Sequence, residues 1–265
     1  MDFSKWTIAG IALIVLATIR LATLCCGMLV FAQTRSEAAE QFYVEGGLIK
    51  MNPTMFASMP TVYDAKAPDP VDWSSFLAHK ANIVGCINSN AFDFHNRPIA
   101  QGTKELGRGY YLSHNIDNDE AVPGEAFVSE YCDGFNGELT YVYGHHTSGR
   151  LTDKLFYHLT DVFTDQSKHY DVTLNVPELK SDGAYSSKQI AGNVLGAQRI
   201  DADKLGETCG ITSHAQLNDW WYNTIAPMLD VRFCEKQPSD RVLVLVTCSK
   251  GEYKNERVFV YVAIR

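Results

Sequence analysis

Two apolar, β-branched blocks, Val242–Val246 and Val258–Ile264, flank a polar stretch that holds Gly251, Lys254 and Asn255. Apolar runs bounded in this way predict a β-hairpin whose loop is too long for a two-residue turn. Leu139–Tyr143 (LTYVY) predicts another strand, running straight into Gly144-His145-His146. VTLNV (172–176) and QIAGNVLGAQRIDA (189–202) predict two more. Elsewhere the spacing is helical. In SHAQLNDWWYNTIAPML, Ser213 and Gln216 form a capping box, and Leu217, Trp220, Trp221, Ile225 and Leu229 form an apolar face. Pro227 predicts a kink, or an end near Thr224. Trp73, Phe76, Leu77 and Lys80 predict a helix after Val71. A third helix is predicted after His146, capped by Ser148 and striped by Leu151, Leu155, Leu159 and Val162.

The beginning of the chain has a different pattern. Residues 6–32 are almost wholly apolar and, at helical rise, long enough to cross roughly 30 Å of hydrocarbon. Arg20 interrupts them at a cost of about 2.5–3.5 kcal/mol, which the surrounding Leu, Ile and Val offset. A cleaved signal peptide, with Val30 and Ala32 at the small-residue positions, is the rival reading. The anchor is preferred: a cytoplasmic tail (1–5), a transmembrane segment (6–32), and the rest outside. Lys5 is the only basic residue before the span, so the sequence fixes this orientation weakly. Residues 33–70 read as a stalk, with a short helix stopped by Gly46-Gly47 and then Pro53, Pro60, Pro68 and Pro70. Residues 71–265 are the compact domain.

Composition narrows the function classes. A chain of 265 residues, 46% hydrophobic and 20% charged, has material for one sizeable core. Its net charge of −8 argues against nucleic acid, which needs a basic face. No internal repeat or low-complexity tract is present. Cys25 and Cys26 fall in the apolar segment, leaving Cys86, Cys132, Cys209, Cys234 and Cys248 in the exterior part. An odd number leaves one thiol over even if the others pair.

The chemistry gathers at strand ends. Cys248 ends the first strand of the last hairpin and Arg257 opens the second, so an antiparallel pairing sets them side by side. A thiol next to a permanently charged, fork-shaped donor suits a nucleophile with an oxyanion clamp. A strand ending in His145 brings a base to the same rim. Three pieces in this order, YGHH, then VTCS, then an arginine opening the last strand, resemble the sortases, the cysteine transpeptidases of Gram-positive cell surfaces. Other stations resemble class B: Val84-Gly85-Cys86-Ile87, where the family has V-G-W-I; Arg97-Pro98-Ile99-Ala100-Gln101; Tyr110-Tyr111-Leu112-Ser113-His114; and Gly124-Glu125-Ala126-Phe127. A long helix before the last two strands separates class B from the smaller class A type. The resemblance covers about residues 71–265.

That resemblance implies a mainly β fold with accessory helices (α+β): an eight-stranded antiparallel barrel, an N-terminal helix, and a long helix before the penultimate strand. It implies that Cys248 attacks a threonine carbonyl in a C-terminal sorting signal of Asn-Pro-x-Thr type and forms a thioacyl intermediate. His145 then carries the proton, Arg257 holds the oxyanion or the signal's backbone, and Thr247 lines the acyl pocket. The partners are surface proteins bearing the signal, and an amine of a peptidoglycan precursor or a pilin lysine, at a cell membrane with the catalytic domain extracellular. No cofactor and no metal is implied. By the resemblance, the family pattern fixes the residue directly after the glycine and lets the next one vary, so His146 is read as a solvent-facing neighbour and His114 as a loop histidine; His158 is read as packing or surface. Cys86 reads as a buried hydrophobe, and disulfides among the other cysteines stay open. The charge-rich loop between Cys248 and Arg257 departs from the family pattern.

Three other functions compete. A secreted cysteine protease that only hydrolyses usually adds an Asn or Asp orienting the histidine, and none shows at a recognisable spacing. A zinc site using His145, His146 and cysteines is disfavoured because adjacent strand residues face opposite ways and no C-x-x-C or H-x-x-x-H pair supports it. An idle surface-binding module needs no reactive thiol.

Overall fold

The computed structural model describes residues 71–78, 82–121, 124–146, 155–201, 208, 210–248 and 256–265, all within one unit spanning residues 46–265. The expected tail, anchor and stalk (1–70), the Ser148 cap with Leu151, Cys209, and the loop 249–255 lie outside the described residues. Among the described residues no helix is long and apolar enough to cross a membrane.

Among the described residues nine strands form: β1 (Ile83–Ser89), β2 (Phe94–Gln101), β3 (Ala126–Val128), β4 (Leu139–Tyr143), β5 (Asp171–Leu179), β6 (Tyr185–Asp201), β7 (Val231–Arg232), β8 (Arg241–Cys248) and β9 (Glu256–Ile264). Eight of them close a ring in the order β5-β1-β2-β3-β4-β8-β9-β6, sealed by the β5–β6 pairing, and the two-residue β7 adds to β6 alone. The eight-stranded barrel expected from the sequence is therefore present, but it is not wholly antiparallel. The pairs β2–β3 and β4–β8 run parallel. The crossover connections between these strands make this possible, since a parallel pair needs more chain than a hairpin.

Burial on both sides explains the continuous apolar runs of β8 and β9. Leu243, Leu245, Val258, Val260 and Val262 face the barrel core with Val142 and Phe156. Val242, Val244, Val246, Phe259 and Tyr261 face outward, under Leu217, Trp221 and Ile225. Fully burying one such side chain contributes about 1.5–3 kcal/mol.

The helices differ from their expected forms. The N-terminal one, α1, is short (Trp73–Phe76); it buries Trp73 and Phe76 beside Cys86, and the Trp73 indole donates to Ser187 Oγ at 2.6 Å. The described part of the third expected helix, from residue 155 on, holds a 3-10 turn, Tyr157–Phe163, where an α-helix was expected. The long helix is present: α2 (His214–Trp220) continues through a π turn (Trp221–Ile225) into a 3-10 turn (Ala226–Met228). Pro227 therefore neither ends the segment at Thr224 nor breaks it. The widened π turn removes the clash between the proline ring and the preceding carbonyls. Ser213 Oγ accepts from the Gln216 N–H at 3.3 Å, as a capping residue should. Gln216 Oε1 accepts from the Thr212 N–H at 2.9 Å, one residue before the expected return bond.

Candidate active site

The register of the last hairpin sets Cys248 directly opposite Arg257. Directly opposed residues share a face of the sheet, and Val246 and Phe259, one pair inward along that face, belong to the outer layer beneath α2. The parallel pairing of β4 with β8 brings the histidine. Tyr143 lies beside Val246, the Gly144 N–H donates to the Val246 carbonyl at 3.1 Å, and the shared strand direction carries His145 to the end of β8 that holds Cys248. An antiparallel β4 would have carried His145 to the far end of β8. The three expected groups meet on one rim.

Three further contacts hold the histidine. The Phe156 N–H donates to the His145 carbonyl at 3.0 Å, and His145 Nε2 lies 2.7 Å from the Leu112 carbonyl oxygen. Gly144 has no room for a side chain, since a Cβ there would come within 2.8 Å of the Phe156 ring. That contact is the local reason for glycine before the histidine.

Burial sets the electrostatics. It pulls the His145 imidazole below its ordinary pKa; the Leu112 carbonyl opposes this and the Arg257 charge adds to it. It pushes the Cys248 thiol above its ordinary value, and Arg257 opposes. Thiol and imidazole are thus mostly neutral at rest, and Arg257 favours the thiolate while disfavouring the imidazolium. Arg257 is itself 7% exposed, and its guanidinium donates to the Glu256 carbonyl at 3.3 Å.

Other candidates fall elsewhere. Thr247 was expected to line an acyl pocket. It is 1% exposed, on the face of β8 opposite Cys248, and its hydroxyl donates to the Gly144 carbonyl at 2.8 Å. It stands behind the sheet, tying the histidine segment to β8. His146 is half-buried, packed 5.0 Å from the Tyr157 ring, and is not the solvent-facing neighbour expected. His114 stacks on Tyr110 at 3.8 Å. His158 lies 2.9 Å from an Asp161 oxygen. Among the described residues Cys86, Cys132, Cys234 and Cys248 are thiols, and Cys86 is fully buried as a small hydrophobe. No group of described residues forms a metal-binding cluster.

No protein-family model and no curated protein sequence matches the chain. Solved structures do. Clostridium perfringens sortase B is 18% identical and superposes with a TM-score of 0.58, covering 72% of this chain and 98% of that one. A Streptococcus pyogenes class B sortase involved in pilus biogenesis is 16% identical at a TM-score of 0.54, covering 75% and 100%. The Staphylococcus aureus sortase B–substrate complex is 15% identical at 0.54, covering 89% and 98%. This chain has the fold of the class B sortases.

Proposed function

We propose that the protein is a cysteine transpeptidase of the sortase B kind. Cys248 attacks the threonine carbonyl of a C-terminal sorting signal, of Asn-Pro-x-Thr type, and His145 carries the proton between thiol, leaving amine and incoming amine. Arg257 donates to the oxyanion as the carbonyl becomes tetrahedral. The observation that carries this reading is the meeting, on one rim, of Cys248, Arg257 and His145, delivered by one antiparallel and one parallel pairing. Residues 6–32 anchor the protein in a cell membrane with the catalytic domain outside, and the acceptor is an amine of the cell wall. A pilin lysine is the second reading, supported by the pilus-associated neighbour. A protease that only hydrolyses is the third.

The test is a peptide library incubated with the full-length chain, with and without a small amine acceptor, followed by mass spectrometry. The expected products are a thioacyl adduct on Cys248 and an amide joined through threonine, both absent in Cys248→Ala. Hydrolysis alone, with the amine never incorporated, would overturn transpeptidation. Turnover that survives Cys248→Ala would overturn the site.

A further inference from the structure

This inference deepens the preceding reading and rests on His145 as the proton carrier. His145 Nε2 lies 2.7 Å from the main-chain oxygen of Leu112. A carbonyl oxygen only accepts, so the hydrogen of that contact belongs to Nε2. A neutral imidazole carries one N–H, and burial keeps this ring mostly neutral. The lone pair is then on Nδ1. We infer that the Leu112 carbonyl is the orienting member of the catalytic group: it fixes His145 as the Nε2–H tautomer, so that Nδ1 moves the proton of Cys248. The orienting partner that a cysteine protease takes from an Asn or Asp side chain is here a backbone oxygen.

The surroundings hold that oxygen in place. Leu112 closes a 3-10 turn (Tyr110–Leu112), with its N–H on the Gly109 carbonyl at 2.9 Å. On one side Tyr110 stacks with His114, whose Nδ1 lies 2.9 Å from the Tyr110 carbonyl. On the other side Gly124 fits against the turn with φ +77, and the Glu125 N–H donates to the Tyr111 carbonyl at 2.7 Å. A Cβ at Gly124 would lie 2.3 Å from the Tyr111 oxygen and 2.6 Å from the Leu112 oxygen. Any side chain at 124 must move the acceptor. Gly124 is a positioning residue.

The proton steps balance with this tautomer. As the Cys248 Sγ–C bond forms, the thiol proton passes to Nδ1 and the carbonyl π pair moves to oxygen, facing Arg257. When the C–N bond breaks, the Nδ1 proton goes to the leaving amine, giving a thioester and the neutral Nε2–H ring. The incoming amine attacks the thioester and gives its proton to Nδ1, which returns it to the departing sulfur. Nε2–H stays on Leu112 throughout, and the carbonyl dipole supports each transient imidazolium against the nearby Arg257 charge.

The test is ring-nitrogen NMR on the full-length chain, labelled with ¹⁵N in its histidine rings, with His145→Ala identifying the signal among the eight histidines. The expected result is a neutral His145 in the Nε2–H form. In Gly124→Ala its titration midpoint falls, because a lengthened Leu112 contact no longer favours the charged ring, and kcat falls at least tenfold with KM little changed. Replacing Ser113 by its α-hydroxy analogue makes the Leu112 carbonyl a weaker ester acceptor and shifts the midpoint the same way. That second variant decides the matter if Gly124→Ala fails to fold. A neutral Nδ1–H ring overturns the inference, as does a midpoint unmoved by the ester. Transpeptidation surviving His145→Ala would instead overturn the reading on which the inference rests.

Discussion

Arg257 lowers the pKa of two neighbours, against burial in one and with it in the other. Its charge lowers the Cys248 thiol pKa, which burial has raised, and lowers the His145 pKa further, which burial has already lowered. The pH profile of kcat/KM is therefore expected to be bell-shaped. Its acid limb lies below the ordinary imidazole range and its alkaline limb above the ordinary thiol range. Removing the charge should move both limbs upward. Arg257→Ala is expected to lose about 10²–10³ in turnover, the usual loss for one oxyanion donor, and to shift both limbs to higher pH. Arg257→Lys should keep the limbs near wild type yet recover little turnover, because a point charge lacks the two parallel donors of a guanidinium. Peptide turnover across pH would check both variants. Limbs unmoved in Arg257→Ala would show that the guanidinium does not act on the thiol and imidazole.

At the scale of elements, the site is a junction between β4 and β8, and Thr247 holds it from behind. Thr247→Val keeps the shape but leaves the Gly144 carbonyl without its hydroxyl donor, a loss of about 1–3 kcal/mol for a buried acceptor. Thr247→Ser keeps the donor and should restore both Tm and kcat. If Thr247 served the substrate directly, Thr247→Ser would change KM at unchanged stability, so thermal melts read beside kinetics separate the two roles. The strands of this junction are legible in the sequence, because LTYVY and RVLVLVTC are apolar runs that break off at the chemical residues. The direction of pairing is not, since a side-chain period of two is the same in parallel and antiparallel strands. Helix type is also hidden. The π turn at Trp221–Ile225 and the 3-10 turn at Tyr157–Phe163 are set by Pro227 and by packing on the barrel. The Leu112 carbonyl has no side-chain signature at all. It meets His145 across 33 residues, and the only trace it leaves in the sequence is a glycine at 124.

Across the whole barrel, the rim that carries Cys248 and Arg257 occupies one end of the β8–β9 hairpin, and a charged clamp closes the other. Arg241 is paired with Ile264 there, and Asp240, fully buried, receives Arg265 through Nε at 2.7 Å and through a terminal guanidinium nitrogen at 3.1 Å. The Gln237 N–H adds a third bond to the carboxylate at 2.7 Å, and the Arg265 N–H donates to the Ala191 carbonyl of β6 at 3.0 Å. Burial alone would raise the Asp240 carboxyl. The Arg265 and Gln237 hydrogen bonds and the charges of Arg265 and Lys236 outweigh it and hold the group below the ordinary carboxylate range. A depressed carboxyl stabilises the fold above its unfolded pKa and loses that contribution as pH falls through its folded pKa. Asp240 should therefore contribute fully at neutral pH and progressively less as acidification passes the ordinary carboxylate range and then its lower folded pKa. Asp240→Asn keeps the volume and removes the charge, so its Tm should lie below wild type at pH 7, with the gap narrowing as wild type is acidified. Iodoacetamide labelling of Cys248 at pH 7 should be unchanged in the folded variant, since the clamp and the thiol sit at opposite ends of the hairpin. Calorimetry of both proteins at several pH values is the measurement. A Tm difference that stays constant down to the lowest pH would mean that Asp240 supports the barrel by shape alone, and the ion pair would drop out of the account of its stability.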